Sequence, residues 1–190
     1  LNQMTLNSRR TLEGVVFLAL FTACIPAANW IIQNVGTKCI PDGPCLIPVA
    51  PGLMAPSAVL VVGLAFVLRD LVQRRLGLHW AAIAIIVGAG LSALLAPPSL
   101  VIASGVAFLI SEFADLAVYT PLQKRRMILA VVASSIVGLI VDSAVFLQLA
   151  FGDLTYIWGQ IVGKAWMVLL AIPFIAWLRA HDERIGMAPA

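Results

Sequence analysis

Four ionisable side chains, Glu112, Asp115, Asp142 and Lys164, sit inside the most apolar runs of the chain. A charge at the centre of a bilayer costs about 3 kcal/mol or more unless it faces a partner or a water-filled cavity. Within SGVAFLISEFADLAVYTPLQKRR, the residues Ser104, Phe108, Ser111, Glu112, Asp115 and Tyr119 recur at helical steps and form one stripe. Ser134, Ser135, Gly138, Asp142 and Phe146 form a second stripe, and Tyr156, Gln160, Gly163, Lys164 and Met167 a third. The three stripes are expected to face one another. Adjacent carboxylates in a dry cavity suit a solute that carries several N–H donors, while Phe108, Tyr119, Phe146 and Trp166 offer flat apolar walls. A cationic or proton-coupled solute is equally compatible. The competing reading makes Lys164 a counter-ion in a network that only fixes helix packing. Three acids and one base do not cancel, however, and packing between membrane helices is served by serine, threonine or asparagine. A ligand or ion pathway is therefore the favoured reading.

The elements that hold these stripes follow from composition. The chain has 190 residues, of which 62% are hydrophobic and 11% charged, and its mean hydropathy is +1.02. A soluble domain carries about one quarter charged residues, so lipid must solvate much of this surface. Apolar runs at 12–32, 53–68, 80–95, 100–120, 127–149 and 157–178 predict an all-α polytopic membrane protein with six transmembrane helices. Strands are a poor reading, because a membrane barrel needs alternating polar positions that these runs lack. The expected division is a cytoplasmic N-terminal segment 1–11, a six-helix domain 12–178 and a cytoplasmic tail 179–190. The first run continues into Trp30, Gln33 and Asn34 without a small-residue cleavage site, and reads as a retained helix.

Basic residues set the orientation. Arg9, Arg10, Arg69, Arg74, Arg75, Lys124, Arg125, Arg126, Arg179 and Arg184 all fall on one side if six helices alternate, against Lys38 on the other. That bias places both termini in the cytoplasm. In this reading Arg69, Arg74 and Arg75 follow the second helix, and Asp70 pairs with them as a cytoplasmic contact. The net charge of +3 then reports topology, with the lipid bilayer as partner and no nucleic acid.

The remaining candidates are weaker. Asn29 could reach the same cavity from the first helix, and Trp166 lies deep enough to stack on a ligand. Cys39 and Cys45 in CIPDGPC could form a disulfide on the outer side. His79 and His181 are not placed to bind a metal with the acids, so neither metal nor cofactor is expected. No phosphate loop, HExxH or nucleophile elbow is present, which points away from an enzyme.

The run from Ser104 to Arg126, followed by SSIVGLIVDSAVFLQLAF and QIVGKAWMVLLAIP, resembles the VUT family of queuosine precursor transporters. The pattern is carried by Ser111, Glu112, Asp115 and Tyr119, then Ser135, Asp142, Ser143 and Phe146, then Lys164 and Pro173. The resemblance spans residues 52–178. It implies an importer of the bacterial inner membrane for 7-cyano-7-deazaguanine or 7-aminomethyl-7-deazaguanine, feeding queuosine synthesis for transfer RNA modification. The substrate-binding residues it suggests, joined to those read from the stripes, are Asn29, Ser111, Glu112, Asp115, Tyr119, Ser135, Asp142, Phe146, Gln160 and Lys164. Glu112 or Asp115 would accept from the ring N–H and its exocyclic amine, with Asp142 at the other edge. Lys164 would donate to the ring carbonyl or hold an acid ionised. Two other readings are a substrate-capture subunit of an energy-coupling-factor importer and a non-transporting membrane scaffold. A homo-oligomer is compatible with each.

Overall fold

Apolar side chains cover the outside of the helices, with Leu12, Leu20, Ile86, Leu94, Ile102, Ile140 and Leu170 all exposed, while arginines and aspartates lie inside. This inversion is what a hydrocarbon solvent selects. The computed structural model describes residues 3–41 and 43–190. Six helices follow in order: α1 Gln3–Asn34, α2 Val59–Leu76, α3 Leu78–Leu95, α4 Val101–Leu122, α5 Met127–Phe151 and α6 Ile157–Ile185. Five helical stretches, Leu6–Asn34, Leu78–Leu95, Pro98–Leu122, Met127–Phe151 and Ile157–Ile185, are long and apolar enough to cross a membrane. The chain is an all-α, multi-pass membrane protein, and α2 is the helix that composition alone does not mark.

Between α1 and α2 the chain forms a small sheet that the hydropathy pattern does not reveal. Its strands are β1 Lys38–Cys39, β2 Cys45–Ala50 and β3 Leu53–Pro56, antiparallel in the order β1-β2-β3. Cys39 and Cys45 face each other across β1 and β2 and are joined by a disulfide. Pro48, Pro51 and Pro56 cannot donate to a helical ladder, which turns this stretch away from helix. Gly52 takes the left-handed turn between β2 and β3 at φ 74°. The sheet docks on α6, where Trp166 donates its indole N–H to the Val49 carbonyl at 3.1 Å. Trp166 therefore faces away from the interior and is half-exposed, which corrects its reading as a ligand-stacking residue.

The expected second helix at 53–68 is accordingly displaced. Residues Leu53–Pro56 belong to β3, and α2 continues to Leu76, with Gly77 as the sole residue between α2 and α3. Gly77 has a φ of 92°, and this left-handed conformation lets two helices turn back on each other across one residue. Helix α2 packs against all five others, and every residue from Ala65 to Arg75 is buried. Arg69, Asp70, Arg74 and Arg75 thus lie within a central helix, which corrects the reading that they follow the second helix as a flank. The physical reason is enclosure: α2 is surrounded by protein, so its charges meet partners instead of lipid.

At the end of the bundle opposite the sheet, an ion-pair lattice ties α1, α2 and α6 together. Asp182 accepts from Arg74 Nε and Nη2 at 3.0 and 2.8 Å, and from Arg75 Nη1 and Nη2 at 2.9 and 2.8 Å. Arg75 also pairs with Glu13 at 2.8 Å. The Ala190 amide donates to the Arg74 carbonyl at 2.9 Å, so the last residues of the described chain return to this end. Replacing Asp182 by alanine leaves the buried Arg74 guanidinium without its carboxylate and Arg75 with Glu13 alone. Asp182→Ala is expected to lose about 3–5 kcal/mol, read as a lowered midpoint in thermal unfolding of the detergent-solubilised protein.

Candidate functional site

The charged interior of the bundle has two connected parts. In the first, Arg69 of α2 reaches three acids at once. Its Nε donates to Glu112 Oε2 at 3.1 Å, its Nη1 lies 2.9 Å from Asp70 Oδ1, and its Nη2 donates to Asp115 Oδ1. The Arg69 guanidinium also donates to Gln73 Oε1 and sits over the Tyr119 ring at 5.8 Å. A planar fork with five N–H groups can serve such a ring of acceptors, whereas a lysine offers one point charge. Ser134 of α5 donates to Asp70 Oδ2 at 3.0 Å. All of these residues are almost completely buried.

In the second part, Lys164 of α6 spends its three donors on Asp142 Oδ2 at 2.6 Å, Ser143 Oγ at 2.8 Å and Gln160 Oε1. Ser111 of α4 donates to Asp142 Oδ1 at 3.3 Å. Since Ser111 and Glu112 are adjacent on α4, the two parts meet there.

Close backbone approach makes both parts possible. A Cβ on Gly63 of α2 would lie 2.6 Å from the Lys164 carbonyl oxygen, so glycine lets α2 touch α6 at the lysine. A Cβ on Gly138 of α5 would lie 2.8 Å from the Phe66 ring and 3.0 Å from Asp115 Oδ2, so glycine admits the acid between α4 and α5. Most residues of the three polar stripes are buried, with Ser104, Phe108, Tyr156 and Met167 partly exposed. The stripes do not close on one another alone, because α2 fills part of the space between them.

A largely apolar cavity opens beside this network in the half of the bundle nearer the sheet. Its walls include Phe66, Phe108 and Phe146, with polar groups from Asn29, Ser92, Ser104, Ser111, Glu112, Asp142 and Gln160. Six of the ten residues singled out from sequence therefore line it: Asn29, Ser111, Glu112, Asp142, Phe146 and Gln160. The other four, Asp115, Tyr119, Ser135 and Lys164, lie buried outside that lining. Asn29 donates one side-chain N–H to the Ile25 carbonyl at 3.0 Å, which leaves its second N–H and its amide oxygen to offer. Glu112 stands on both sides of the arrangement, since it lines the cavity and is held by Arg69. Among the described residues, no group of three or more His, Cys, Asp or Glu is arranged to hold a metal ion.

Arg69 and Asp70 are the residues that sequence reading misplaced, and Gln73 is one that it passed over. A signal was present: Phe66, Arg69, Asp70 and Gln73 follow the i, i+3, i+4, i+7 pattern of one helix face. It was obscured because these charges end an apolar run and resemble a cytoplasmic flank.

Residues 93–178, which contain α4, α5 and most of α6, match the family described as "Putative vitamin uptake transporter". The match bears out the VUT resemblance. The VUT segment supplies Glu112, Asp115, Asp142 and Lys164, whereas Arg69 and Asp70 come from outside it. No curated protein and no solved structure matches the chain.

The geometry makes Arg69 the centre of the network. Arg69→Lys keeps the charge but loses the fork, and is expected to destabilise the protein by about 1.5–3 kcal/mol. Thermal unfolding checks this against Lys164→Arg, which keeps a cation beside Asp142.

Proposed function

We propose that the protein imports a flat, N–H-rich heterocycle across a bacterial inner membrane, and that the solute is a queuosine precursor such as 7-cyano-7-deazaguanine or 7-aminomethyl-7-deazaguanine. The observation that carries this reading is Glu112, a carboxylate held by Arg69 at the edge of a cavity walled by Phe66, Phe108 and Phe146. A guanine-like edge presents a ring N–H beside an exocyclic amine, and one ionised carboxylate accepts from both. The aromatic walls suit the two faces of the ring. The family description supports uptake transport, and the choice of a 7-deazaguanine rests on what the VUT resemblance implies.

The residues lining the cavity have distinct roles in this proposal. Glu112 takes the ring N–H and amine edge, while Asp142, steadied by Lys164 and Ser111, takes the other edge or an aminomethyl group. Gln160 and Asn29 complete the polar contacts. Asp115, Tyr119, Ser135 and Lys164 act behind them by holding charge and shape. The topology has α2 as a sixth crossing, screened from lipid by its neighbours, with both termini cytoplasmic. Arg74 and Arg75 join the ends of α1 and α6, and Lys124 and Arg125 border the same inner surface, which is the arrangement the positive-inside bias favours. The cavity then belongs to the outer half, and the Asp182 lattice closes the cytoplasmic end.

Uptake of labelled 7-cyano-7-deazaguanine into proteoliposomes that contain this protein alone tests the proposal, with unlabelled guanine as competitor. Saturable uptake that resists guanine is expected. Binding without uptake would favour a capture subunit that needs energising partners, and neither binding nor uptake by folded protein would remove the substrate assignment. Glu112→Gln replaces an ionised acceptor by a neutral amide. It is expected to weaken solute binding by at least about tenfold, measured by equilibrium binding at matched protein abundance.

A further inference from the structure

We propose that Asp70 and Asp115 form a proton-binding site, coupled to the cavity through Arg69 and Glu112, and that the protein moves one proton inward with each solute. This rests on the transport reading above and adds its energy source.

The geometry of the carboxyl pair carries the argument. Asp70 comes from α2 and Asp115 from α4, both are fully buried, and both are held by the same guanidinium, Asp70 at Arg69 Nη1 and Asp115 at Nη2. Two buried carboxyl groups that depend on one guanidinium, with Glu112 on it as well, exceed the charge that can hold them all ionised, and the pair shares a proton. The hydrogen bonding shows where that proton is wanted. Asp115 Oδ2 is buried and has no hydrogen-bond donor, and Asp70 Oδ1 meets Arg69 Nη1 at 2.9 Å as an ion pair without an aligned hydrogen bond. A shared proton supplies the missing donor.

The charges around the pair leave room for it. On α2, Arg69 is the cation in contact with the pair, and Arg74 is committed to Asp182. On α4, Glu112 competes for the same guanidinium, and Tyr119 presents its ring to it. On α5, Ser134 donates to Asp70, and Asp142 is paired with Lys164 of α6. From α1, Cys24 reaches the cavity near Glu112. Around Arg69 and Lys164 there are thus four acids, Asp70, Glu112, Asp115 and Asp142, against these two bases, while Arg74 and Arg75 are engaged by Asp182.

Coupling follows from the single guanidinium. With a proton on the pair, Asp70 and Asp115 together carry one negative charge, and Arg69 can hold Glu112 as the ionised acceptor that the solute needs. Without the proton, both aspartates draw Arg69, and Glu112 loses its counter-ion. Solute thus binds best to the proton-loaded protein. A proton taken up from the outer side accompanies the solute and leaves on the inner side when the pair releases it.

The test uses the purified full chain in proteoliposomes with an acid exterior, labelled 7-cyano-7-deazaguanine and a trapped pH dye. At one proton per solute, a gradient of one pH unit is expected to drive accumulation toward about tenfold, with proton entry that depends on the solute. Asp70→Asn is expected to abolish both responses while exchange of labelled for unlabelled solute at equal pH continues. Exchange by the wild type that ignores the gradient would overturn the proposal. Infrared difference spectra across a pH titration without solute read the site independently of the substrate. A protonated-carboxyl band that titrates in the wild type and is missing in Asp70→Asn supports the proton site even where exchange is absent. No titrating carboxyl band in the wild type overturns it, whatever the solute proves to be.

Discussion

A single guanidinium shared by three buried carboxyl groups sets the terms for the rest of this structure. Arg69 can be ionised inside an apolar bundle only where acceptors surround it and lipid is excluded. Both conditions fix the position of α2. The helix must run through the interior, and α4 must present Glu112 and Asp115 on one face toward it. The five apolar stretches that meet lipid are the enclosure that this arrangement requires.

The same constraint explains the distribution of small residues and caps. Gly63 and Gly138 bring backbone close to Lys164 and Asp115, because a side chain there would hold the charged groups apart. The sheet and its disulfide occupy one end of the bundle between α1 and α2 and rest on α6, so α2 begins under cover. At the other end, Asp182 gathers Arg74 and Arg75, and the central helix finishes against protein as well. From end to end, then, the polar parts of α2 are met by partners. That continuity separates an interior helix from a surface one in a membrane protein, where the outside has no water to offer.

For transport, the notable feature is that one residue belongs to two settings. Glu112 touches the cavity where a solute would lie and also the guanidinium that the aspartate pair contests. A change of charge at the pair is therefore felt in the cavity through one shared hydrogen-bonding group, without a long chain of intermediates. Lys164 and Asp142 form a more self-contained unit, since the lysine's three donors are already engaged. Such a unit is suited to holding a wall in shape while the Arg69 network changes.

Much of this was legible in the sequence, and the limits were physical. The polar stripes at Ser111, Glu112, Asp115 and Tyr119 and at Ser135, Asp142 and Phe146 follow from helical periodicity, because side chains three and four apart share a face wherever the helix is placed. Membrane residence follows from composition, because so much apolar surface has no other solvent. The sequence by itself thus determined the solvent, most of the helices and which faces carry charge. Only the tertiary structure decided that α2 is the centre and that Arg69 and Asp70 complete the network. A run of apolar residues ending in arginines reads the same at a membrane surface and in a protein interior. The difference lies in what surrounds it, and those surroundings come from helices distant in the chain.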